Sequence, residues 1–161
     1  MERNYREIKN FLPDEEFKAL RKIMFSKELP WYYRNEQTFS DRFYFNHSFY
    51  QWYTETSDLF EHVKPILHKL KVNMLSEVRA NLILKDKEHH QSGWHCDRDF
   101  DCNTAIFYMN TNNGHTLLGE KNPTRIECEE NKMLIFNSKI KHCAVSQTNK
   151  VRRIVININY V

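Results

Sequence analysis

From residue 76 to its end, the chain alternates apolar with polar residues in short runs, and the helical spacing of its earlier part stops. Successive side chains of a β-strand point to opposite faces, so this alternation is typical of half-buried strands. The pattern predicts eight short strands, at 77–85, 93–97, 104–109, 115–118, 124–128, 132–136, 140–146 and 152–160. Eight strands in close succession fit a jelly roll built from two packed sheets.

The first 75 residues carry helical patterns between shorter strands. Strands are predicted at 5–11 and 42–46, and a helix begins at Pro13, which suits a first helical position. A second helix follows the capping residue Ser57, although Pro65 would kink or break it. We expect both helices to cover the outer face of one sheet, which makes the fold class α+β and mostly β.

Length and composition limit the possible functions. A chain of 161 residues suggests one domain, 1–161, in which 1–75 supply helical support and substrate-side segments and 76–161 form the jelly-roll core. The net charge of +3 is dispersed and is no nucleic-acid footprint by itself. There is no signal-peptide pattern and no run of about 20 apolar residues, so we expect a soluble, cytoplasmic protein of open oligomeric state.

Two residue types invite a functional interpretation. The four cysteines form no C-x-x-C pair, which favours free thiols in a reducing compartment over a zinc site. Aromatic residues concentrate before residue 61, in runs such as Trp31-Tyr32-Tyr33 and Phe43-Tyr44-Phe45. Core and interface packing is the favoured explanation, and a surface that stacks against a substrate is the alternative.

The tripeptide His95-Cys96-Asp97 is the candidate metal-binding motif. On a strand, His95 and Asp97 point to the same side and Cys96 to the other, so Cys96 is not counted as a ligand. His142, from a distant strand, could complete a set of two histidines and one carboxylate. Such a set occupies one face of an octahedral metal and leaves the other open, as in non-haem Fe(II) oxygenases.

Each of these signals is weak alone, and the combination is stronger because order, spacing and strand context agree. An H-x-D pair is common by chance, and a lone histidine is more often structural. The pair His89-His90 lies in a polar loop and is expected to be solvated. The pair Arg152-Arg153 follows the distal histidine and could bind a carboxylate through a planar, bidentate fork.

Residues 76–161 resemble the catalytic core of the Fe(II)/2-oxoglutarate-dependent oxygenases, close to the prolyl-4-hydroxylase-like branch and to its small bacterial and phage forms. The resemblance implies the double-stranded β-helix form of the jelly roll. One departure is His115-Thr116, where the family usually has Gly-Glu. The segments that carry the resemblance are Trp94-His95-Cys96-Asp97, Ala105-Ile106-Phe107-Tyr108-Met109-Asn110, Asn113-Gly114-His115-Thr116, Lys132-Met133-Leu134-Ile135-Phe136-Asn137-Ser138, and His142 with Arg152-Arg153-Ile154-Val155-Ile156.

The resemblance implies a role for each matching residue. His95, Asp97 and His142 would ligate catalytic Fe(II), and Tyr108 would donate a hydrogen bond to the distal carboxylate of 2-oxoglutarate. Either Arg152 or Arg153 would pair with that carboxylate. Simple alternation with an inward apolar face favours Arg152, whereas the family pattern, with an apolar outer face under the helices, favours Arg153.

The implied reaction uses O₂ and 2-oxoglutarate, releases succinate and CO₂, and hydroxylates a substrate; it leaves ascorbate open as a further cofactor. A prolyl or other protein side chain is the favoured substrate, with a nucleic acid or a small metabolite as alternatives. A non-enzymatic jelly-roll binding module and a different metalloenzyme are the competing interpretations. The substrate-facing loops are expected at 28–56, at 85–93 and after Asp97.

Overall fold

The computed structural model describes residues 4–35 and 42–161. Helices α1 and α2 span Asp14–Met24 and Lys64–Leu70, and a 3₁₀ turn at Phe60–Val63 precedes α2. The strands are β1 Tyr5–Ile8, β2 Tyr32–Asn35, β3 Phe43–Gln51, β4 Thr54–Glu55, β5 Leu75–Leu84, β6 Asn103–Tyr108, β7 Asn112–Leu118, β8 Thr124–Cys128, β9 Lys132–Asn137, β10 His142–Val145 and β11 Arg152–Tyr160. The expected mostly-β jelly roll is confirmed.

The strands form two sheets of unequal size. The large sheet runs in the order β1-β9-β6-β11-β5-β3-β2, and β4 pairs with β3 at its side. The small sheet runs in the order β10-β7-β8. Neighbouring strands pair antiparallel in both sheets. The small sheet therefore covers only part of the large one, which leaves room for a cavity between them.

Both helices pack on the outer face of the large sheet, as expected. Helix α1 buries Phe17, Leu20 and Met24 there, because these residues recur at helical spacing on one side. The rings of Phe17 and Phe107 meet edge to face at 6.0 Å between centroids. The other buried members of this core that come from strands of the large sheet are Phe49, Val78, Ala80, Leu82, Ala105, Met133, Ile135, Ile154, Ile156, Ile158 and Tyr160.

A second, smaller core lies between the two sheets. It joins alternate residues of the large sheet to residues of the small one, namely Ile106, Tyr108, Leu134, Phe136 and Val155 to Leu118, Ile126 and Cys128. The large sheet is thus buried on both faces, one against helices and one against strands. Successive residues along each of its strands therefore point alternately into two buried regions. The outer region, under the helices, is apolar, and the inner region also contains polar residues.

Two predicted elements differ from the structure. The strand expected at 93–97 is reduced to isolated bridges from Gln91 and His95 to β10. The backbone N–H of Ala144 goes to the Ser92 hydroxyl at 3.0 Å, so a side chain interrupts the ladder between those bridges. The helix expected after Ser57 begins only at Lys64, because Pro65 sits best in a first turn. Strand β2 was not expected.

Among the described residues, no helix has the length and apolar character needed to cross a membrane. The aromatic runs divide between the core and the surface. Phe45 packs against the core, whereas Tyr32, Tyr33 and Phe43 are about half exposed. Strand β2 is exposed along its whole length, so this part of the aromatic surface is open to solvent.

Because the helices bury the outer face of β11, a truncated side chain on that face should lower the free energy of unfolding. Ile156 lies at the centre of the outer face of β11 and is fully buried. The change Ile156→Ala should lower the free energy of unfolding by about 2–5 kcal/mol, because it removes buried methyl groups and leaves a cavity. Urea denaturation measures this. The control Val151→Ala, at a site that is 76% exposed, should change it by less than about 0.5 kcal/mol. Equal effects at the two sites would mean that the helices do not cover this strand.

Candidate metal centre

His95, Asp97 and His142 meet at one point. One ligand atom from each lies within 4.8 Å of the others. The Nε2 atoms of His95 and His142 are 3.7 and 3.5 Å from Asp97 Oδ1. His95 and His142 also exchange both backbone hydrogen bonds, at 3.1 and 2.9 Å, so an antiparallel bridge fixes the spacing of their side chains.

Both imidazoles are oriented through the nitrogen that faces away from this point. His95 Nδ1 donates to the Gly93 carbonyl at 3.1 Å, and His142 Nδ1 donates to the Ile140 carbonyl at 3.2 Å. A hydrogen bond of this kind fixes the tautomer and leaves Nε2 with a free lone pair, as metal-binding histidines require. The ring of His142 also packs against Phe136, 4.9 Å between centroids.

The carboxylate of Asp97 is held through one oxygen only. Its Oδ2 accepts hydrogen bonds from Thr104 Oγ1 and Asn159 Nδ2, both at 3.0 Å, and Asn159 also donates to Thr104 at 2.9 Å. Thr104 lies on β6 and Asn159 on β11, so two adjacent strands of the large sheet fix the carboxylate. Oδ1 is left to face the two histidines and is available as a monodentate ligand.

The electrostatics favour the deprotonated forms of Asp97 and His142. Burial raises the pKa of the Asp97 carboxyl, but His142, Asn159, His95 and Thr104 together outweigh it, and the pKa is lowered below its ordinary value. Burial likewise lowers the pKa of His142, against the opposing charge of Asp97. A carboxylate and neutral imidazole at neutral pH are the forms that bind a metal cation.

The chemistry of the donors fits a divalent transition metal. Two imidazole nitrogens and one carboxylate oxygen on one side of a point match the facial arrangement of non-haem iron sites. The side chains of Asp97 and His142 are nearly buried, whereas that of His95 is 48% exposed. The side of the site near His95 is therefore accessible to small molecules.

A cavity of about 570 Å³ opens beside these residues. His95, His142 and Arg153 all line it, together with Thr116 and Val155. Arg153 is 2% exposed, and its Nε has no hydrogen-bond partner among the described residues. Its Nη2 donates to Thr116 Oγ1 at 3.3 Å and its Nη1 donates weakly to the Val145 carbonyl at 3.5 Å. A buried guanidinium with so few partners is suited to bind an anion.

Arg152 lies on the opposite face of β11. It is exposed, and its guanidinium carbon sits 4.8 Å from the centre of the Phe25 ring, on the helix side of the large sheet. The alternation of β11 thus places Arg153 in the cavity and Arg152 outside it.

Tyr108 lies behind the cavity wall. Its hydroxyl is 2.8 Å from Thr116 Oγ1, the same atom to which Arg153 donates. Burial raises the pKa of the Tyr108 hydroxyl, which therefore stays protonated. Thr116 and Arg153 both line the cavity, whereas Tyr108 does not and reaches it only through Thr116. Thr116 stands at the position where the sequence departs from the oxygenase pattern.

The remaining sequence candidates lie outside the ligand set. The Cys96 thiol is exposed and donates to the Lys139 carbonyl, away from the three ligand atoms. His89 is exposed as expected, with Nδ1 donating to the Ser146 carbonyl, but His90 lines the cavity. Sequence reasoning missed Thr104 and Asn159. Their only signal was a polar residue at an inward position of a buried strand.

No protein-family model matches the chain, and no curated protein matches it. Solved structures do. A prolyl-4-hydroxylase from Pseudomonas putida aligns at a TM-score of 0.65 and 15% identity, over 98% of this chain and 92% of that one. A prolyl hydroxylase from Trichoplax adhaerens, in complex with a hypoxia inducible factor peptide, aligns at 0.70 and 13%, over 98% and 83%.

A third similar structure is HygX from Streptomyces hygroscopicus, with nickel and 2-oxoglutarate bound. It aligns at a TM-score of 0.66 and 11% identity, over 98% of this chain and 82% of that one. The alignments cover nearly the whole chain, so the chain has the fold of the 2-oxoglutarate-Fe(II) oxygenases, with prolyl hydroxylases among its structural neighbours.

Because Asn159 helps to hold the Asp97 carboxylate in place, its removal should affect metal binding. Asn159→Ala should weaken Fe(II) binding about 10- to 100-fold, because loss of a residue that orients a metal ligand typically lowers metal affinity by this factor. Anaerobic Fe(II) titration measures this. The control Asn122→Ala, in an exposed loop, should leave the affinity unchanged. Wild-type affinity in the Asn159 variant would show that Asp97 is positioned by other contacts.

Proposed function

We propose that the protein is an Fe(II)- and 2-oxoglutarate-dependent dioxygenase that hydroxylates its substrate and releases succinate and CO₂. One observation carries the proposal. Three ligand atoms from His95, Asp97 and His142 converge beside a cavity, and the same cavity contains the buried Arg153. Both the metal site and the anion site of such an enzyme would therefore share one space.

Separate groups of residues would bind the iron, position its ligands and exclude water. His95 Nε2, Asp97 Oδ1 and His142 Nε2 would hold the iron, which supplies the oxidising chemistry when it is bound. Thr104 and Asn159 hold Asp97 in position. The cavity walls would exclude bulk water from the reacting groups, which protects a reactive site from side reactions.

Arg153 would bind and orient the cosubstrate. Its guanidinium lies in the same cavity as the ligand histidines, and its Nε and weakly bonded Nη atoms can meet a carboxylate. Thr116, which bonds both Arg153 and Tyr108, adds a hydroxyl beside the guanidinium. We therefore assign the distal carboxylate of 2-oxoglutarate to Arg153, with Tyr108 acting through Thr116, and not to Arg152.

A protein side chain, prolyl or other, is the first substrate class to test. The support is that two structural neighbours are prolyl hydroxylases, one of them in complex with a peptide. Residues of the expected substrate-facing loops line the cavity, namely Arg42, Phe43, Tyr44, Asp86, His90, Ser92 and Gly93. A small metabolite or a nucleic acid remains the alternative substrate. We place the activity in one domain, 1–161.

The cellular setting follows from the same chemistry. The four cysteines are free thiols, and both thiols and Fe(II) persist in a reducing compartment. We therefore propose a cytoplasmic location. A binding module that had kept only the fold would have no need for three ligands and a buried arginine together, which favours the enzyme.

The proposal is tested first without oxygen. Addition of Fe(II) and then 2-oxoglutarate should produce a weak visible charge-transfer band in the wild-type protein. His95→Ala should abolish the band, because one of three ligands is lost. Absorption spectroscopy under argon measures it. Bound iron without any band on addition of 2-oxoglutarate would contradict the proposal and favour a binding module or another metal chemistry.

The two arginines provide a matched pair. Arg153→Gln should raise the 2-oxoglutarate concentration needed for half of the band by about tenfold or more, since a charge-assisted hydrogen bond contributes ~1.5–3 kcal/mol. Arg152→Gln should leave it unchanged, because that side chain packs on Phe25 outside the cavity. A shift in the Arg152 variant alone would contradict the assignment, because the cosubstrate carboxylate would then bind on the opposite face of β11.

A further inference from the structure

The cavity has a polar wall that the proposed iron and 2-oxoglutarate sites do not use. Arg79 and Asn81 of β5 and Asn157 of β11 line it. Arg79 and Asn81 are two residues apart, so they point to the same side of their strand. Asn157 lies directly opposite Arg79 in the pairing of β11 with β5. The three side chains therefore form one patch on the inner face of the large sheet.

The strand register places this patch next to the metal centre. Asn159, which holds Asp97, is paired with Glu77, and Arg153 is paired with Ile83. The Arg79–Asn157 pair lies between these two rows, one inward position from the first. Two residues along a strand span ~7 Å, so Arg79 lies within a side-chain length of the row that positions the metal ligand.

The patch contains hydrogen-bonding atoms without partners. Arg79 Nε, Asn81 Oδ1 and Asn157 Oδ1 are buried and have no partner among the described residues. Buried polar atoms are nearly always hydrogen-bonded, and those left unpaired carry a large desolvation cost. One donor and two acceptors grouped on a cavity wall are the pattern expected where a polar ligand supplies the missing bonds.

The charges around Arg79 favour an anionic ligand. Glu77 is shared between two guanidinium groups: its Oε2 accepts from Arg98 at 2.7 Å, and its Oε1 accepts from Arg79 at 3.3 Å. One carboxylate therefore balances two cations, and Arg98 holds it more closely. Arg42, at the same cavity, is already paired with Asp86. Arg79 is left with a positive charge that a second carboxylate could neutralise.

We propose that Arg79 determines substrate specificity by binding a carboxylate of the primary substrate, while Asn81 and Asn157 accept hydrogen bonds from N–H or O–H groups beside it. The inference rests on the proposed function and narrows it to acidic substrates. The carboxylate could belong to a small carboxylic acid, such as an amino acid, or to an aspartyl or glutamyl side chain of a peptide. Both present the same group to Arg79.

Spectroscopic titration tests this without turnover. The anaerobic wild-type protein, loaded with Fe(II) and 2-oxoglutarate, is titrated with free L-amino acids and with their carboxamides. In a second arm it is titrated with blocked aspartyl and glutamyl peptides and with their asparaginyl and glutaminyl counterparts. Binding next to the metal is read as a shift of the charge-transfer band. Because 2-oxoglutarate is already bound, Arg153 does not compete for the added carboxylates.

At least one carboxylate should shift the band. Its uncharged amide should need an about tenfold higher concentration for the same shift, or should not bind, since charge-assisted hydrogen bonds are about twice as strong as neutral ones. Arg79→Gln should weaken binding of that carboxylate by about tenfold but still form the band with 2-oxoglutarate. The affinity of Arg79→Lys for the carboxylate should lie between those of the wild type and Arg79→Gln. Arg125→Gln is the control, because Arg125 also pairs with a glutamate two residues away on its strand. That strand is β8 of the small sheet, and both side chains are about half exposed. The arm that responds identifies a free acid or a peptide.

Three results would overturn the inference: a band that forms but is shifted by no carboxylate, equal binding of acids and amides, or unchanged carboxylate affinity in Arg79→Gln. Absence of the band in the wild-type protein is a different result, because it contradicts the proposed function instead. Circular dichroism on each variant verifies that the fold is retained, and Arg79→Lys supplies the comparison if Arg79→Gln does not fold.

Discussion

The position of β11 at the centre of the large sheet is the constraint on which the rest of the structure depends. The strand pairs with β6 on one side and β5 on the other, so its register is fixed along both edges. One face packs three isoleucines under the helices, and the other carries Arg153, Asn157 and Asn159. A slip of one residue would exchange the two faces completely. The outer apolar core therefore holds the polar residues of the site in place.

The inner face carries a cost that the outer face offsets. A buried guanidinium and buried amides lose their hydration, and several of their atoms have no hydrogen-bond partner in the described part of the chain. Such groups weaken a fold unless a ligand or metal completes them, which is why they concentrate at functional sites. Burial of the large sheet against helices on its other side supplies the stability that this arrangement needs. The small sheet, which covers only part of the inner face, leaves the unsatisfied groups accessible.

The sequence predicted the fold and the three residues that meet at the candidate metal centre, but not the contacts that hold Asp97 in place. His95 and Asp97 are close in the chain, so their pairing was visible in the sequence. The alternation of β11 with an inward apolar face favoured Arg152, and only the resemblance to the oxygenases favoured Arg153. Thr104 and Asn159 could not be assigned, because their contact with Asp97 depends on the register between strands that are distant in sequence. The strand around His95 was overestimated, since a serine side chain interrupts its pairing. The hydrogen bonds of Thr116 to Tyr108 and Arg153 could not be predicted from the resemblance, because Thr116 stands where the oxygenase pattern has another residue.

We propose that three protein ligands hold a metal on one side and that Arg153 faces the open side. Crystals of the wild-type protein grown anaerobically with Fe(II) and 2-oxoglutarate would locate the metal through anomalous scattering at the iron edge and the cosubstrate through its electron density. We expect one peak bound by His95 Nε2, Asp97 Oδ1 and His142 Nε2, with the distal carboxylate of 2-oxoglutarate against Arg153. A peak elsewhere, a fourth protein ligand that closes the site, or a carboxylate bound at Arg152 would contradict it.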